Sequence, residues 1–434
     1  MQNRGGYMTK YKEQISKYYS THKEMIYKSL SEIVAIDSSF KPCDDPDKPF
    51  GEGSAAALAW AQSFARENGF KTRNFDNYAI DIDFDDKEPV LGILSHLDVV
   101  PAGEGWKSDP FRLKIRDGNI YGRGTIDDKG PSVAVLYAMK CIKELGIPLK
   151  KGFRVIMGGD EEQGCKDIEY YQTKQRFPEN VFTPDGSFPV LNCEKGMLHL
   201  RFSAPFDGGI EIESPDVLNA IPAKCVVRTN GESVIFEGKN AHGSRPENGD
   251  NAVTKFLSGY SGDDKRLKAL KELFPHGEYD GRSCGMGFKD DISGVMTCAL
   301  TVLRTQGGRL SGGIDIRFPI DRTLEEISGI ITSRLEAAGF EIDECEGMQP
   351  HYVDEKGEFV QTLLKVYESV LGQKGSCIAE GGVTYVHNTP GGVAFGAEFE
   401  WEQNNMHGAD EHISEKTFEI NFNMYANAIA EICG

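Results

Sequence analysis

No run in the 434-residue sequence approaches the roughly 20 apolar residues that a membrane-spanning helix needs, so no membrane partner is expected. The opening residues MQNRGGYMTKYKEQ contain no apolar stretch of the kind a secretory signal carries. Basic residues are outnumbered: 48 Lys and Arg against 67 Asp and Glu leave a formal charge of -19. That argues against the basic surface a nucleic-acid partner requires and suits a soluble, cytoplasmic protein. None of the ten cysteines has C-x-x-C spacing, so neither a zinc ribbon nor a dithiol redox motif is present. They read as reduced thiols.

What is present is 39% hydrophobic and 26% charged, a globular balance. The length calls for two domains. The stretch Gly92–Gly130 stands out. Its apolar run Val90–Leu94 stops at His96-Leu97-Asp98, and its far end turns through Gly122 and Gly124 into Asp127-Asp128. A buried strand ending in a histidine, with a carboxylate two residues on, suits a metal ligand and the group that holds its other ring nitrogen. Two more apolar runs end alike, Phe153–Met157 at Asp160-Glu161-Glu162 and Val181–Thr183 at Pro184-Asp185.

Helical patterns over 9–36, over 54–68 with Ser54 as cap, and from Pro131 to Leu145 alternate with these runs. The alternation predicts an α/β domain with a mixed, mostly parallel sheet flanked by helices, whose ligands gather at the carboxyl ends of strands. The acidic alternation AIDIDFDD reads as a half-exposed edge strand guarded against pairing.

After about Gly196 the texture changes to short strands at Met197–Phe202, Lys224–Arg228, Ser233–Glu237, Val295–Leu303 and Ile314–Phe318. A helix opens at the capping box Thr323–Glu326, and Gly259–Gly294 reads as loop. This predicts an inserted α+β domain. A helix from about Asp354 and a strand over Gly392–Phe399 return to the first domain. Residues 1–197 and 352–434 then form one domain and 198–351 the other.

No single motif compels a function. His96 alone would more often be structural, and the acidic triplet a solvated turn. Gly122-x-Gly124 lacks the third glycine of a dinucleotide fingerprint. Gly281-Arg282-Ser283-Cys284-Gly285 spells a serine-hydrolase elbow, but no apolar strand precedes it and no helix pattern follows.

Five segments occur together, however: SHLDVVPAGEGW, YGRGTIDDKG, GGDEEQGC, TPDGSFP and MHGADE. In this order and context the chain resembles the co-catalytic dinuclear zinc peptidase and aminoacylase family, and is most like bacterial Xaa-His (carnosinase-like) dipeptidases. The resemblance implies two zinc ions, with manganese or cobalt fitting similar ligands. It assigns His96 and Asp185 to one ion, Glu162 and His407 to the other, and Asp127 to both. Asp98 is then the partner of His96, Glu161 the general base, and Asp127–Asp128 a cis peptide. The inserted domain resembles the family's ferredoxin-like lid, with His242 as an oxyanion contact and Asn219 as a substrate contact. Where related dipeptidases carry an arginine for the substrate carboxylate, within the segment matching Gly381–His387, this chain has His387. The expected substrate is a dipeptide or short peptide with a free carboxylate. An N-acyl amino acid is the alternative, and a non-catalytic binding protein on the same fold a further one. Monomer and homodimer both remain open.

Overall fold

A computed structural model describes residues 9–434, which fold into two compact units. The first comprises the residues up to Asn192, Val353–Ile378 and Thr384–Gly434. The second comprises Cys193–Tyr352 and the short segment Ala379–Val383. The junctions thus fall about five residues before the expected 197/198 and one after 351/352, and part of the glycine-rich segment belongs to the second unit.

The first unit is built on a mixed sheet. Pro89–His96 lies parallel between Gly152–Gly158 and Asn180–Thr183, and Gly392–Ala394 extends the parallel part on the far side of Asn180–Thr183. Antiparallel strands continue it outward: Ala79–Asp83 and Lys71–Phe75 on one side, Val190–Glu194 on the other. The parallel pairing is therefore confined to the four central strands. Consecutive residues of these strands enter different cores. Ile93 and Val155 join the larger cluster, Leu94 and Ile156 the smaller one beneath the helix Lys166–Lys174. Burial on both faces is why these strands read as near-continuous apolar runs, Arg154 interrupting the one at Gly152–Gly158. The helices Lys12–Val34, Lys129–Glu144 and Glu415–Cys433 pack together over the larger cluster.

Several local expectations change. Ala79–Asp83 is not an edge strand but is paired on both sides, because its acid row meets arginines. Asp81, fully buried, accepts hydrogen bonds from Arg73 Nε at 2.9 Å and Tyr171 Oη at 3.1 Å. Asp83 takes Arg154 Nε at 2.7 Å. Ser54 lies inside the helix Glu52–Glu67, and its hydroxyl donates to Gly159 O instead of capping. The final strand is only Gly392–Ala394, with Glu398 rejoining Ser187 through a single bridge. The ten cysteines form no disulfide.

In the second unit four antiparallel strands pair in the order Thr297–Gln306, Arg309–Phe318, Gly196–Pro205, Glu341–Met348. The first strand in sequence thus sits between the third and the fourth, the order of a ferredoxin-like sheet. Thr323 caps the helix Leu324–Ala337 as expected, its hydroxyl accepting from Glu326 N at 3.2 Å. The expected loop 259–294 contains a helix, Lys265–Leu273, whose Asp264 side chain accepts from Arg266 N and Leu267 N. Only Leu267 and Leu270 are buried in that helix, too narrow an apolar stripe to stand out among its lysines. The strand Glu341–Met348 was missed because its side chains are mostly exposed and acidic.

Candidate metal centre

Three of the four central strands end at the same place. His96 is the last residue of Pro89–His96, Glu161 and Glu162 lie on a single turn beyond Gly152–Gly158, and Asp185 follows Asn180–Thr183 by two residues. Asp127 stands just before the helix Lys129–Glu144, its peptide to Asp128 cis, as the resemblance implies. His407 comes from the loop before the last helix, with φ +60°.

These residues fall into two groups, His96 with Glu161 and Asp185, and Asp127 with Glu162 and His407. Within each group one ligand atom per residue lies within 4.8 Å of the others. Asp127 also touches the first group. Its Oδ1 is 2.9 Å from His96 Nε2, and its Oδ2 is 2.8 Å from His407 Nε2. His96 Nε2 is 3.7 Å from Asp185 Oδ2, and His407 Nε2 is 3.4 Å from Glu162 Oε1. Donor atoms sharing one tetrahedral zinc stand about 3.3 Å apart, given bonds of about 2.0–2.1 Å. Glu162 Oε1 is buried and makes no hydrogen bond, as befits an atom kept for an ion.

The electrostatics favour the same occupant. Four carboxylates converge here, and the opposing charge comes from the two imidazoles. Burial, then repulsion by Asp185, pushes the Glu161 carboxyl well above its ordinary range. Burial, then Asp127, raises Glu162 and carries Asp185 up to about 8. The Asp127 carboxylate hydrogen-bonded to its ring, and then the nearby Glu162 carboxylate, raise His407 to about 11. Burial alone would lower the His96 pKa, but hydrogen bonds to Asp127 and Asp98 outweigh it and raise the ring well above its usual value. An oxygen- and nitrogen-rich, crowded anionic set of this kind fits a pair of divalent cations.

It follows that ions must displace protons. Ligands bind as carboxylate and neutral imidazole, so a metal held by these groups would expel the proton that Asp185 keeps below about pH 8, and those of the two imidazoles as well. Metal affinity is expected to rise with pH through that range, with net proton release. Calorimetric titration of the metal-free protein in buffers of different ionisation enthalpy measures it; a heat independent of buffer would contradict this charge state.

Asp98 does more than the sequence suggested. His96 Nδ1 donates to the main-chain oxygen of Asp98 at 3.1 Å, with carboxylate Oδ1 at 3.4 Å. Facing two acceptors, Nδ1 keeps its proton and leaves Nε2 for a metal. The Asp98 carboxylate itself accepts the amides of Glu161 and Glu162 at 3.2 and 3.1 Å, fixing the turn that carries both. Tyr385 was not foreseen. Its ring meets His96 edge-on, centroids 5.9 Å apart, and its hydroxyl donates to buried Asp167, which also accepts the amide of Asp160 at 2.9 Å. His387 lies on the same short turn, Tyr385–Asn388.

In the second unit, Asn219 and His242 come together. Ala220 pairs with His242, and Gly243 N donates to Asn219 O at 2.7 Å. The exposed His242 ring has Nδ1 2.7 Å from Ser244 Oγ. An arginine does stand against the glycine-rich segment, though not at position 387. Arg317 Nη1 donates to Gly381 O at 2.8 Å, while its Nε and Nη2 hold Asp315, each at 2.9 Å. The signal was available: Asp315 and Arg317 interrupt the apolar run of Gly312–Phe318 with charge on alternate residues.

The profile of "Peptidase family M20/M25/M40" matches residues 92–431. The chain belongs to that family. This peptidase is 35% identical to the putative dipeptidase YtjP of Bacillus subtilis, over 94% of this chain and 97% of that one. It is 33% identical to the Beta-Ala-Xaa dipeptidase of Lactobacillus delbrueckii subsp. lactis, over 94% and 96%. In fold it resembles human carnosine dipeptidase 1, with TM-score 0.65, 17% identity and coverage of 98% and 99%. It also resembles the aminoacylhistidine dipeptidase of Vibrio alginolyticus, with TM-score 0.59, 14% identity and coverage of 94% and 96%. The family membership makes the chain a metal-dependent peptidase, and its carboxylate and histidine groups suit a dinuclear centre. Among the described residues, no helix is long and apolar enough to cross a membrane.

Proposed function

We propose that this peptidase is a cytoplasmic, two-zinc dipeptidase that cleaves the amide bond of dipeptides or short peptides with a free carboxylate. The observation that carries the reading is Asp127, whose two carboxylate oxygens face the histidines of the two ligand groups. In this reading Asp127 would hold both ions, His96 and Asp185 would complete one site, and Glu162 and His407 the other. A pair of divalent ions held there would supply Lewis-acid polarisation of the scissile carbonyl and activation of the attacking water. Glu161 accepts the proton of that water and delivers it to the departing amine. Asp98 keeps the Glu161 carboxylate in register with the ligands by holding adjacent amides. His242 donates to the carbonyl oxygen as it gains negative charge, and Asn219 and His387 contact the substrate. Manganese or cobalt would suit the same donors.

The names of the similar proteins support a dipeptide substrate over an N-acyl amino acid. A panel of dipeptides set against N-acetyl and N-succinyl amino acids tests this. Dipeptides are expected to show the higher kcat/KM, and a preference for the acylated compounds would replace the reading. Within the panel, the His387 contact is checked by His387→Arg. A permanently charged, bidentate guanidinium should lower KM for dipeptides with a free carboxylate. An unchanged KM would discard the contact.

A further inference from the structure

One buried ion pair beside the ligands has no role so far. Arg123 and Glu411 each expose 1% of their side chains, and Arg123 Nη1 donates to Glu411 Oε2 at 2.5 Å. The carboxylate also accepts main-chain amides of the loop that carries Asp127. Gly124 N–H reaches Oε2 at 3.1 Å, while Ile126 and Asp127 N–H reach Oε1 at 3.1 and 3.4 Å.

The guanidinium faces other loops. Its Nη2 lies 3.2 Å from Gly408 O and 3.5 Å from His407 O, and 3.3 Å from both Pro101 O and Ala102 O. The Trp106 ring stacks beside it at 5.3 Å. Three chain segments therefore end on one pair of side chains: the loop after His96 and Asp98, the loop of Asp127, and the turn of His407. That turn needs holding, because His407 sits in the left-handed region that a residue with a Cβ adopts only when its surroundings impose it. A buried ion pair is a weak device for stability alone. This one spends almost all its hydrogen bonds on the main chain next to ligands.

We propose that Arg123 and Glu411 are positioning residues that hold the Asp127 loop against the His407 turn and so set the spacing of the two ion-binding groups. The proposal rests on the dinuclear reading above. Neither residue meets substrate; both act through Asp127 and His407.

The test is Glu411→Gln. The amide keeps the size, loses the charge opposite Arg123, and turns one acceptor into a donor facing main-chain N–H groups. Competition titration of the metal-free protein with Zn2+ is expected to show affinity about 10–100-fold weaker, the range for a lost partner of a ligand. At saturating metal, kcat should fall while KM stays within about twofold. The double variant Arg123→Met/Glu411→Gln removes both buried charges and covers the case in which the single variant folds poorly. It should recover thermal stability without recovering metal affinity. Wild-type affinity in Glu411→Gln, or metal affinity that returns in step with Tm in the double variant, would overturn the proposal while leaving the dipeptidase reading intact. A wild-type protein that takes up fewer than two ions would remove the dinuclear reading and this inference with it.

Discussion

Glu161→Gln is expected to lower kcat for a good dipeptide by about 10²- to 10⁴-fold, about 3–5 kcal/mol of barrier, with both ions still bound. Glutamine occupies the same space and keeps the main-chain bond to Asp98, but it cannot take a proton from water. The metal content of this variant matters as much as its rate, because Glu161 groups by distance with His96 and Asp185. A base can be lost without losing an ion; a ligand cannot. Full metal occupancy with collapsed turnover supports the base. Collapsed turnover with one ion missing would make Glu161 a ligand, and near-normal turnover would remove it from the mechanism. The neutral side chain should also stabilise the metal-free protein, since it relieves a carboxylate that burial and Asp185 disfavour.

Asp127→Ala should be more severe. It removes the one side chain that touches both ligand groups, so both ions are expected to be lost and hydrolysis to fall to background. The loss of affinity should exceed the about 10–100-fold typical of removing an outer partner of a ligand. A second readout is independent of turnover. Hydrogen bonding to Asp127 is the main reason the His407 pKa stands near 11, and it also raises His96. In the metal-free variant both imidazoles should titrate at lower pH than in the metal-free wild type, as NMR of the ring protons would record. Two ions retained at full affinity, or unshifted histidines, would contradict the bridging geometry.

The candidate ligands were legible in the sequence for a local reason. A parallel strand buried on both faces is a continuous apolar run, and a polar ligand at its carboxyl end breaks that run visibly. His96, Glu161, Glu162 and Asp185 all announce themselves this way. Asp127 and His407 do not; they sit in loops and were identified through the resemblance of whole segments. The helix Lys265–Leu273 escaped notice because a narrow apolar stripe among lysines has little periodic contrast.

The sequence by itself determined the class of fold, the α+β insertion, the chemistry of the donor set and the family, since these depend on residue types and on order along the chain. Tertiary structure decided which atom meets which. It gave one oxygen of Asp127 to each histidine, turned the Asp98 carboxylate toward the Glu161 and Glu162 amides, and placed Ala79–Asp83 inside the sheet between arginines. It also set Arg317 against Gly381 and joined Arg123 to Glu411, 288 residues away. Contacts between residues so far apart leave no period or spacing in the sequence, because they come into existence only when folding brings the segments that carry them together.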